Sequence, residues 1–204
     1  MDSQRKNIHL KKGELLFREG DEVPGMYFIY SGTVKVHKQW GQEKELILRF
    51  ARKGDIVGHR GLGGDNIYPV SGTALEPVTA CFIDMAFFLA TLKVNHDFMM
   101  QLMLFYAQEL KESERNMRNL AHMPVKGRVA NALLHLQQKF GVTPEGHLNM
   151  VLSRQDLASF AGTTYETVFR IMNEMVQEGA IRLEGKNIIV ADAEKLSVEG
   201  GAKS

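Results

Sequence analysis

Apolar residues recur at two different spacings along this chain, and each spacing predicts a different architecture. Over residues 8–88 short β-prone runs alternate with glycines. The runs include Leu15, Leu16 and Phe17; Met26, Tyr27, Phe28, Ile29 and Tyr30; Val34 and Val36; and Leu46, Ile47 and Leu48. Gly13, Gly20, Gly25, Gly32, Gly41, Gly54 and Gly58 punctuate them. Val34 and Val36 alternate with Lys35 and His37, the period-two pattern of a half-buried strand. Many short strands separated by turn residues predict a β-sandwich or jelly roll, a shell that commonly holds a small ligand.

The pattern then lengthens. Residues 96–122 contain neither proline nor glycine, and Met99, Met103, Tyr106, Leu110, Ser113, Met117 and Leu120 are spaced alternately four and three apart. That is the heptad seam of a coiled coil. Glu109, Lys111, Glu112, Glu114, Arg115 and Arg118 flank it as a charged, solvated surface. A helix of this length cannot bury its whole seam on a small sandwich, so a second copy of the chain is the expected partner. Pro124 closes the segment and marks a hinge.

Beyond the hinge, residues 125–140 read as a helix with Val129, Leu133, Leu134 and Leu136 buried and Lys126 and Arg128 near its start. Residues 141–149 form a polar turn region, and Met150, Val151 and Leu152 a short strand. Residues 153–179 read as two short helices. Ser153 caps the first, Gly162 supplies the turn, and Thr163 with Glu166 forms a T-x-x-E capping box for the second, which Gly179 ends. Val168, Ile171, Met172 and Met175 give the second helix an apolar back that packs on Leu157, Ala158 and Ala161. Its front carries Thr164, Tyr165, Glu166, Thr167 and Arg170, all able to hydrogen-bond. A packed back and a hydrogen-bonding front suit the major groove of double-stranded DNA, whereas a helical hairpin in a core needs no polar front. A β-hairpin over residues 180–190, turning at residues 184–187, completes a winged helix-turn-helix. Residues 197–204 are small and polar, and are expected to be disordered.

Composition narrows the chemistry. The 204 residues are 44% hydrophobic with a formal net charge of +1, so an inference of nucleic-acid binding rests on local residues rather than overall charge. Cys81 is the single cysteine, which excludes an internal disulfide and a cysteine-ligated iron–sulfur cluster within one chain; in a β-prone run it reads as a small buried residue. No apolar run approaches the roughly 20 residues that span a bilayer, and the basic N-terminal stretch lacks the apolar core of a signal peptide. A cytoplasmic protein without membrane association is expected.

Residues 54–71 are the candidate ligand segment, because their glycines leave backbone N–H groups able to face an anion. A plain glycine-rich connection between strands fits equally well. The segment lacks G-x-x-x-x-G-K-[ST], so it is not a nucleotide-hydrolysing phosphate loop. His37 and His59 lack close metal-ligand partners and read as surface or hydrogen-bonded groups; no metal site and no catalytic set is expected.

The order of β-roll, long helix and winged helix-turn-helix resembles the family of the cyclic-AMP receptor protein and the fumarate–nitrate reduction regulator over nearly the whole chain. Gly13, Glu19-Gly20, Tyr27-Phe28-Ile29 and Ser31-Gly32-Thr33-Val34 resemble its β-roll signature. Lys53-Gly54-Asp55-Ile56-Val57-Gly58 resembles the approach to its phosphate-binding cassette. Asn119-Leu120-Ala121 and Gly127-Arg128-Val129-Ala130 are similar to its hinge and following helix. Glu166-Thr167-Val168 and Arg170 fall on its E-T-V-x-R recognition pattern. The family's N-terminal helix and lead-in are missing or shortened.

The resemblance implies an α+β chain with a jelly-roll, cyclic-nucleotide-binding-like β-roll over residues 1–95, a dimerisation helix and hinge over 96–123, and a winged helix-turn-helix over 124–204. It implies base reading by Tyr165, Glu166, Phe169 and Arg170, with Glu166 on a cytosine amino group and Arg170 forked onto a guanine. Lys126, Arg154, Gln155, Thr164 and Thr167 would hold phosphates. Tyr165 stands where the cyclic-AMP receptor protein has arginine, and Phe169 where the family has glycine or serine. The effector pocket would involve Leu48, Arg49, Gly58, His59, Arg60, Pro69, Val70 and Ser113. There the chain departs from the cyclic-AMP pattern: His59 stands at the ribose-binding glutamate, and Pro69 or Val70 at the phosphate-binding arginine. Charged hydrogen bonds contribute about 1.5–3 kcal/mol each, so cyclic AMP in its usual pose is not expected. Arg49 and Arg60 are open to two roles, serving another anion or salt-bridging to strand carboxylates. The expected function is a homodimeric transcription regulator on a palindromic DNA site, with no certain cofactor and an unidentified effector in the β-roll. A ligand-independent regulator is the alternative, a cupin-type enzyme a remote one. Residues 143–149 resemble a surface with which family members contact RNA polymerase.

Overall fold

A computed structural model describes residues 5–41, 44–63 and 65–200 of the chain. It divides into two compact units, Met1–Glu114 and Arg115–Ser204.

The first unit is a pair of four-stranded antiparallel sheets. Strands β1 (Arg5–Leu10), β8 (Val78–Asp84), β3 (Gly25–Ser31) and β6 (Ile56–Val57) form one, in the order β1-β8-β3-β6. Strands β2 (Leu15–Phe17), β7 (Ser71–Ala74), β4 (Val34–Trp40) and β5 (Lys44–Ala51) form the other, in the order β2-β7-β4-β5. Except for the β4–β5 hairpin, neighbours in sequence thus lie in different sheets, as in a jelly roll. Met26, Ile29 and Ala80 from one sheet meet Phe17, Val34, Val36 and Ala74 from the other in a single core. Each fully buried large apolar side chain in it contributes about 1.5–3 kcal/mol.

The pairing of β4 with β5 shifts register between Val36 and His37, yet Val34 and Val36 face the core while Glu45 meets both Lys35 and the buried His37. Its Nε2 lies 2.8 Å from Thr73 Oγ1 and its Nδ1 2.9 Å from Glu45 Oε2. At the other end β8 gives way to helix α1 (Met85–Val94), capped by the Asp84 carboxylate on the N–H groups of Ala86 and Phe87. Phe88 of α1 is buried in the sandwich core. Cys81 lies on β8 and is half-buried.

Helix α2 (His96–His122) carries two stripes offset by one residue. Phe98, Leu102 and Phe105 pack on the β-roll core. Met99, Met103, Leu110, Met117 and Leu120 are each at least 40% exposed, as are Met100 and Leu104. Tyr106, placed in the seam by its spacing, instead packs against the β-roll and donates its hydroxyl to the His59 carbonyl at 2.5 Å. A long ring at the border of two stripes reaches either side.

The second unit is built on helix α3 (Val125–Phe140), whose Val129, Leu133 and Leu136 are fully buried, with Leu134 only half-buried. Helices α4 (Arg154–Ala161) and α5 (Tyr165–Gln177) pack on it, and strands β9 (Ile181–Glu184) and β10 (Asn187–Val190) form the hairpin. Residues 150–152 are not a strand; the preceding segment is tied by a bridge between Val142 and Leu148 and by the Leu148 N–H to the Ile188 carbonyl. The expected disorder after residue 197 also gives way to helix α6 (Ala193–Glu199), held by the fully buried Leu196. Gly127 of α3 permits this contact, since a Cβ there would lie 2.5 Å from the Glu199 carbonyl. Residues 201–204 lie outside the described residues.

Candidate nucleic-acid interface and effector region

The two-helix element forms for local reasons. Ser153 Oγ accepts the Asp156 N–H at 2.9 Å, capping α4. Gly162 follows in the left-handed conformation (φ 65°, ψ 48°), which a residue with a Cβ adopts only at a cost, and turns the chain. The capping box is shifted by one residue. Thr164, not Thr163, is the N-cap of α5 and accepts the Thr167 N–H, while the Thr163 N–H bonds to the Ala158 carbonyl. Glu166 therefore does not serve as a capping-box acceptor. It is exposed and makes no side-chain hydrogen bond among the described residues.

On α5 the sides separate cleanly. Val168, Ile171, Met172 and Met175 are buried. Tyr165, Glu166, Phe169 and Arg170 are exposed at positions i, i+1, i+4 and i+5, one face of the N-terminal turns. The rings of Tyr165 and Phe169 stack at 6.4 Å with an interplanar angle of 17°. The Arg170 side chain is 66% exposed, with Nη1 on Glu174 Oε1 at 2.5 Å.

The expected phosphate contacts differ in availability. Gln155 is exposed, and Arg154 is half-buried, with burial lowering its pKa. Thr164 and Thr167 join their hydroxyls at 3.1 Å. Lys126 is held by Glu178 at 2.7 Å and Glu199 at 3.2 Å, and the hydrogen bond to Glu178 raises its pKa. A cation already shared by two carboxylates is a poor phosphate ligand. Sequence spacing did not expose this, since both partners lie far along the chain. Arg128 has a structural role instead. Its guanidinium donates to the carbonyls of Ala161 at 2.9 Å, Met123 at 3.0 Å and Gly162 at 3.1 Å. It thereby ties the hinge to the end of α4.

In the β-roll, three of the eight candidate pocket residues come together. Gly58 (φ 86°) leads into a short 3₁₀ turn, His59–Gly61, which puts His59 and Arg60 beside Arg49 of β5. The Gly61 and Leu62 N–H groups close that turn on the carbonyls of Gly58 and His59 and are not left facing a ligand. Arg49 Nη1 and Arg60 Nη2 each lie 2.9 Å from the Glu109 carboxylate of α2. Arg49 Nη2 donates to the Ile56 carbonyl at 3.0 Å and stands 3.7 Å from Asp55. The carboxylate on both arginines thus comes from a helix and not a strand, and Glu109 is not part of the solvated flank. Burial alone would raise the Glu109 pKa, but the His59 ring, Arg49 and Arg60 together bring it down to about 2. Burial lowers the His59 pKa, and its ring packs edge-on against Phe105 and Tyr106 at 4.8 and 5.4 Å. Burial also pushes the Tyr106 hydroxyl up to about 12.

Apart from Gly58, the other four candidates are placed differently. Leu48 packs at the edge of the core and Val70 is buried in it. Pro69 and Ser113 are exposed, the Pro69 carbonyl accepting from Lys38 at 3.1 Å. Among the described residues no hydrogen bond or ion pair links Pro69, Val70 or Ser113 to the arginine cluster. No group of three or more His, Cys, Asp or Glu able to hold a metal is found among them, and no helix is long and apolar enough to cross a membrane.

Known proteins match both units. The cyclic nucleotide-binding domain family matches residues 7–95, and the Crp-like helix-turn-helix domain family residues 127–198. A CRP-like cAMP-activated global transcriptional regulator of Mycobacterium tuberculosis is 28% identical over 199 residues, covering 97% of this chain and 89% of the relative. The transcriptional activator protein Anr of Pseudomonas aeruginosa is 28% identical, over 95% of this chain and 80% of its own. The fold is shared with FixK2 from Bradyrhizobium japonicum (TM-score 0.88, 20% identity, 98% and 99% of the two chains). It is also shared with a CRP/FNR-family regulator from Thermus thermophilus (TM-score 0.79, 22% identity, 98% and 100%). With the nucleotide-binding-type roll and the Crp-like reader matched in that order, and with relatives that are transcription regulators rather than enzymes, the chain belongs to the CRP/FNR family of DNA-binding transcription regulators.

Proposed function

We propose that the protein acts in the cytoplasm as a homodimer joined through the exposed stripe of α2, each copy placing its α5 in one of two successive major grooves of a palindromic site. The observation that carries this reading is α5 itself: a fully buried back and an exposed front of Tyr165, Glu166, Phe169 and Arg170. Glu166 accepts from a cytosine amino group and Arg170 donates to guanine O6 and N7. The aromatic pair lies beside them, where Phe169 packs on a thymine methyl. Arg154, Gln155, Thr164 and Thr167 hold the backbone in register. The residue 143–149 loop, tied to the wing by His147 Nε2 on Glu184 at 2.8 Å, is the surface offered to RNA polymerase.

A signal received in the β-roll shifts α2 and the hinge at Met123 and Pro124. The mycobacterial relative is described as cAMP-activated. Here Glu109 already occupies Arg49 and Arg60, which opposes cyclic AMP and favours a second reading, regulation without an external ligand. Selection of binding sites from random DNA tests the proposal. It expects a two-fold-symmetric consensus with half-sites one helical turn apart, and recovery of unrelated sequences with no common motif counts against it.

A further inference from the structure

We infer that Arg49, Arg60 and His59 form a carboxylate-binding site in the β-roll, and that its resident ligand is the chain's own Glu109. This rests on the reading of the β-roll as the part that sets α2, and it names the chemistry of that setting.

The site is built around an anion. Arg49 and Arg60 reach the same carboxylate from β5 and from the 3₁₀ turn, one on each oxygen at 2.9 Å. His59 Nε2 stands 3.7 Å from Glu109 Oε2, beyond hydrogen-bond length, on a side chain only 3% exposed. Among the described residues, neither ring nitrogen of His59 has a hydrogen-bond partner, and neither do Arg49 Nε and Arg60 Nε. The Arg49 guanidinium lies over the Phe105 ring at 5.5 Å, so apolar groups as well as charges fix its place. The cradle therefore has more donors than its occupant uses.

The occupant is tethered. Glu109 sits on α2, and that helix continues to His122. Because the carboxylate is covalently held near its arginines, its effective concentration is high, and a free carboxylate must displace it to enter. In the intact protein the site is filled without any external molecule. Removing the Glu109 side chain beyond Cβ deletes a CH₂ and a carboxylate, the size of one acetate ion. Among the described residues it leaves two guanidiniums with no paired carboxylate except Asp55, at 3.7 Å from Arg49.

Acetate is therefore the probe. Thermal unfolding of the full chain is followed against acetate, with chloride and the neutral acetamide as controls. The Glu109→Ala variant is expected to melt several degrees below the intact protein. Millimolar acetate restores most of the loss with saturation, while acetamide and chloride do not. The intact protein shows no acetate response, and Glu109→Ala combined with Arg60→Ala loses it. An acetate response in Glu109→Ala no larger than that to chloride overturns the inference. If Glu109→Ala does not fold, Glu109→Gln fills the same space without charge. It is expected to fold with lowered stability, and a melting temperature equal to that of the intact protein overturns the ionic role. DNA binding is read separately. Failure of the intact protein to bind DNA counts against the regulator reading and leaves the acetate-dependent shift as an independent result.

Discussion

Arg170 and Glu174 are joined across one turn of α5, Nη1 to Oε1 at 2.5 Å, although the arginine side chain is 66% exposed. An exposed i, i+4 pair of this kind contributes only about 0.3–0.5 kcal/mol. Glu174 therefore orients Arg170 without withholding it from a base. Substituting Arg170 with alanine is expected to weaken site-specific binding by about 1–3 kcal/mol and relax preference at one base pair. Substituting Glu174 with glutamine should change affinity by well under that amount. Competition binding against single-base variants of the selected site measures both, and unchanged specificity in Arg170→Ala would count against the groove assignment.

Lys126 and Arg154 make opposite predictions. Lys126 is already paired with Glu178 and Glu199, so Lys126→Ala should leave the salt dependence of DNA binding nearly unchanged. Arg154→Ala should lower the slope of log K against log salt by about one, as for loss of one phosphate contact. A titration from low to high salt separates them. An equal drop for both would mean that Lys126 leaves its carboxylates on binding DNA.

The exposed stripe of α2 predicts the assembly state. Leu110 is 61% and Met117 66% exposed. Leu110→Glu and Met117→Glu together place like charges in the seam, and should convert a dimer to a monomer while leaving helical content intact. Sedimentation with circular dichroism reads this. A monomeric parent protein, or a doubly substituted dimer, excludes the seam.

Acid should loosen the β-roll through its carboxylates. Glu109 is lowered from 4.5 to about 2, burial being outweighed by His59, Arg49 and Arg60. Glu45 is also lowered to about 2, burial being outweighed by His37 and Lys35. A depressed carboxylate stabilises the fold above its unfolded value, and that stability is lost as pH falls from about 4.5 toward 2. His59 is lowered by burial, so the unfolded chain takes up its proton first and stability also declines as pH falls below 6.5. Denaturant unfolding at several pH values should show the loss between pH 4.5 and 2 reduced in Glu109→Gln. An identical slope in the two proteins would remove Glu109 from this role.

Arg128 bonds the carbonyls of Met123, Ala161 and Gly162, carbonyls near the ends of two helices. Replacing it with lysine keeps the charge but loses the planar fork, and should destabilise the second unit by about 1.5–3 kcal/mol. Stability unchanged in Arg128→Lys would show the carbonyls satisfied by water.

The sequence reading went furthest where a pattern is local. The short β-prone runs gave β2, β3, β4, β5 and β8, the absence of glycine and proline with the 4-3 spacing gave α2, and Ser153, Gly162 and the apolar back of α5 gave the two-helix element. It failed where one residue decides between two local solutions. Thr163 and Thr164 are both competent caps one residue apart, and Thr164 takes the role. It also failed at α6, a short helix held by the buried Leu196 and by Glu199 on Lys126 of α3.

The reader helix and its exposed front were legible in the residues themselves, because propensity, capping and apolar period act over a few positions. The Glu109 site was not. Its stripe on α2 runs Phe98, Leu102, Phe105 and then a charge, so the apolar period stops where the function begins. Arg49 and Glu109 are 60 residues apart in the chain, and Arg60 and Glu109 are 49 apart. Which carboxylate meets those arginines depends on how α2 seats on the finished sandwich. Tertiary packing alone decided it, by bringing a tethered anion to two cations, one buried and one half-buried.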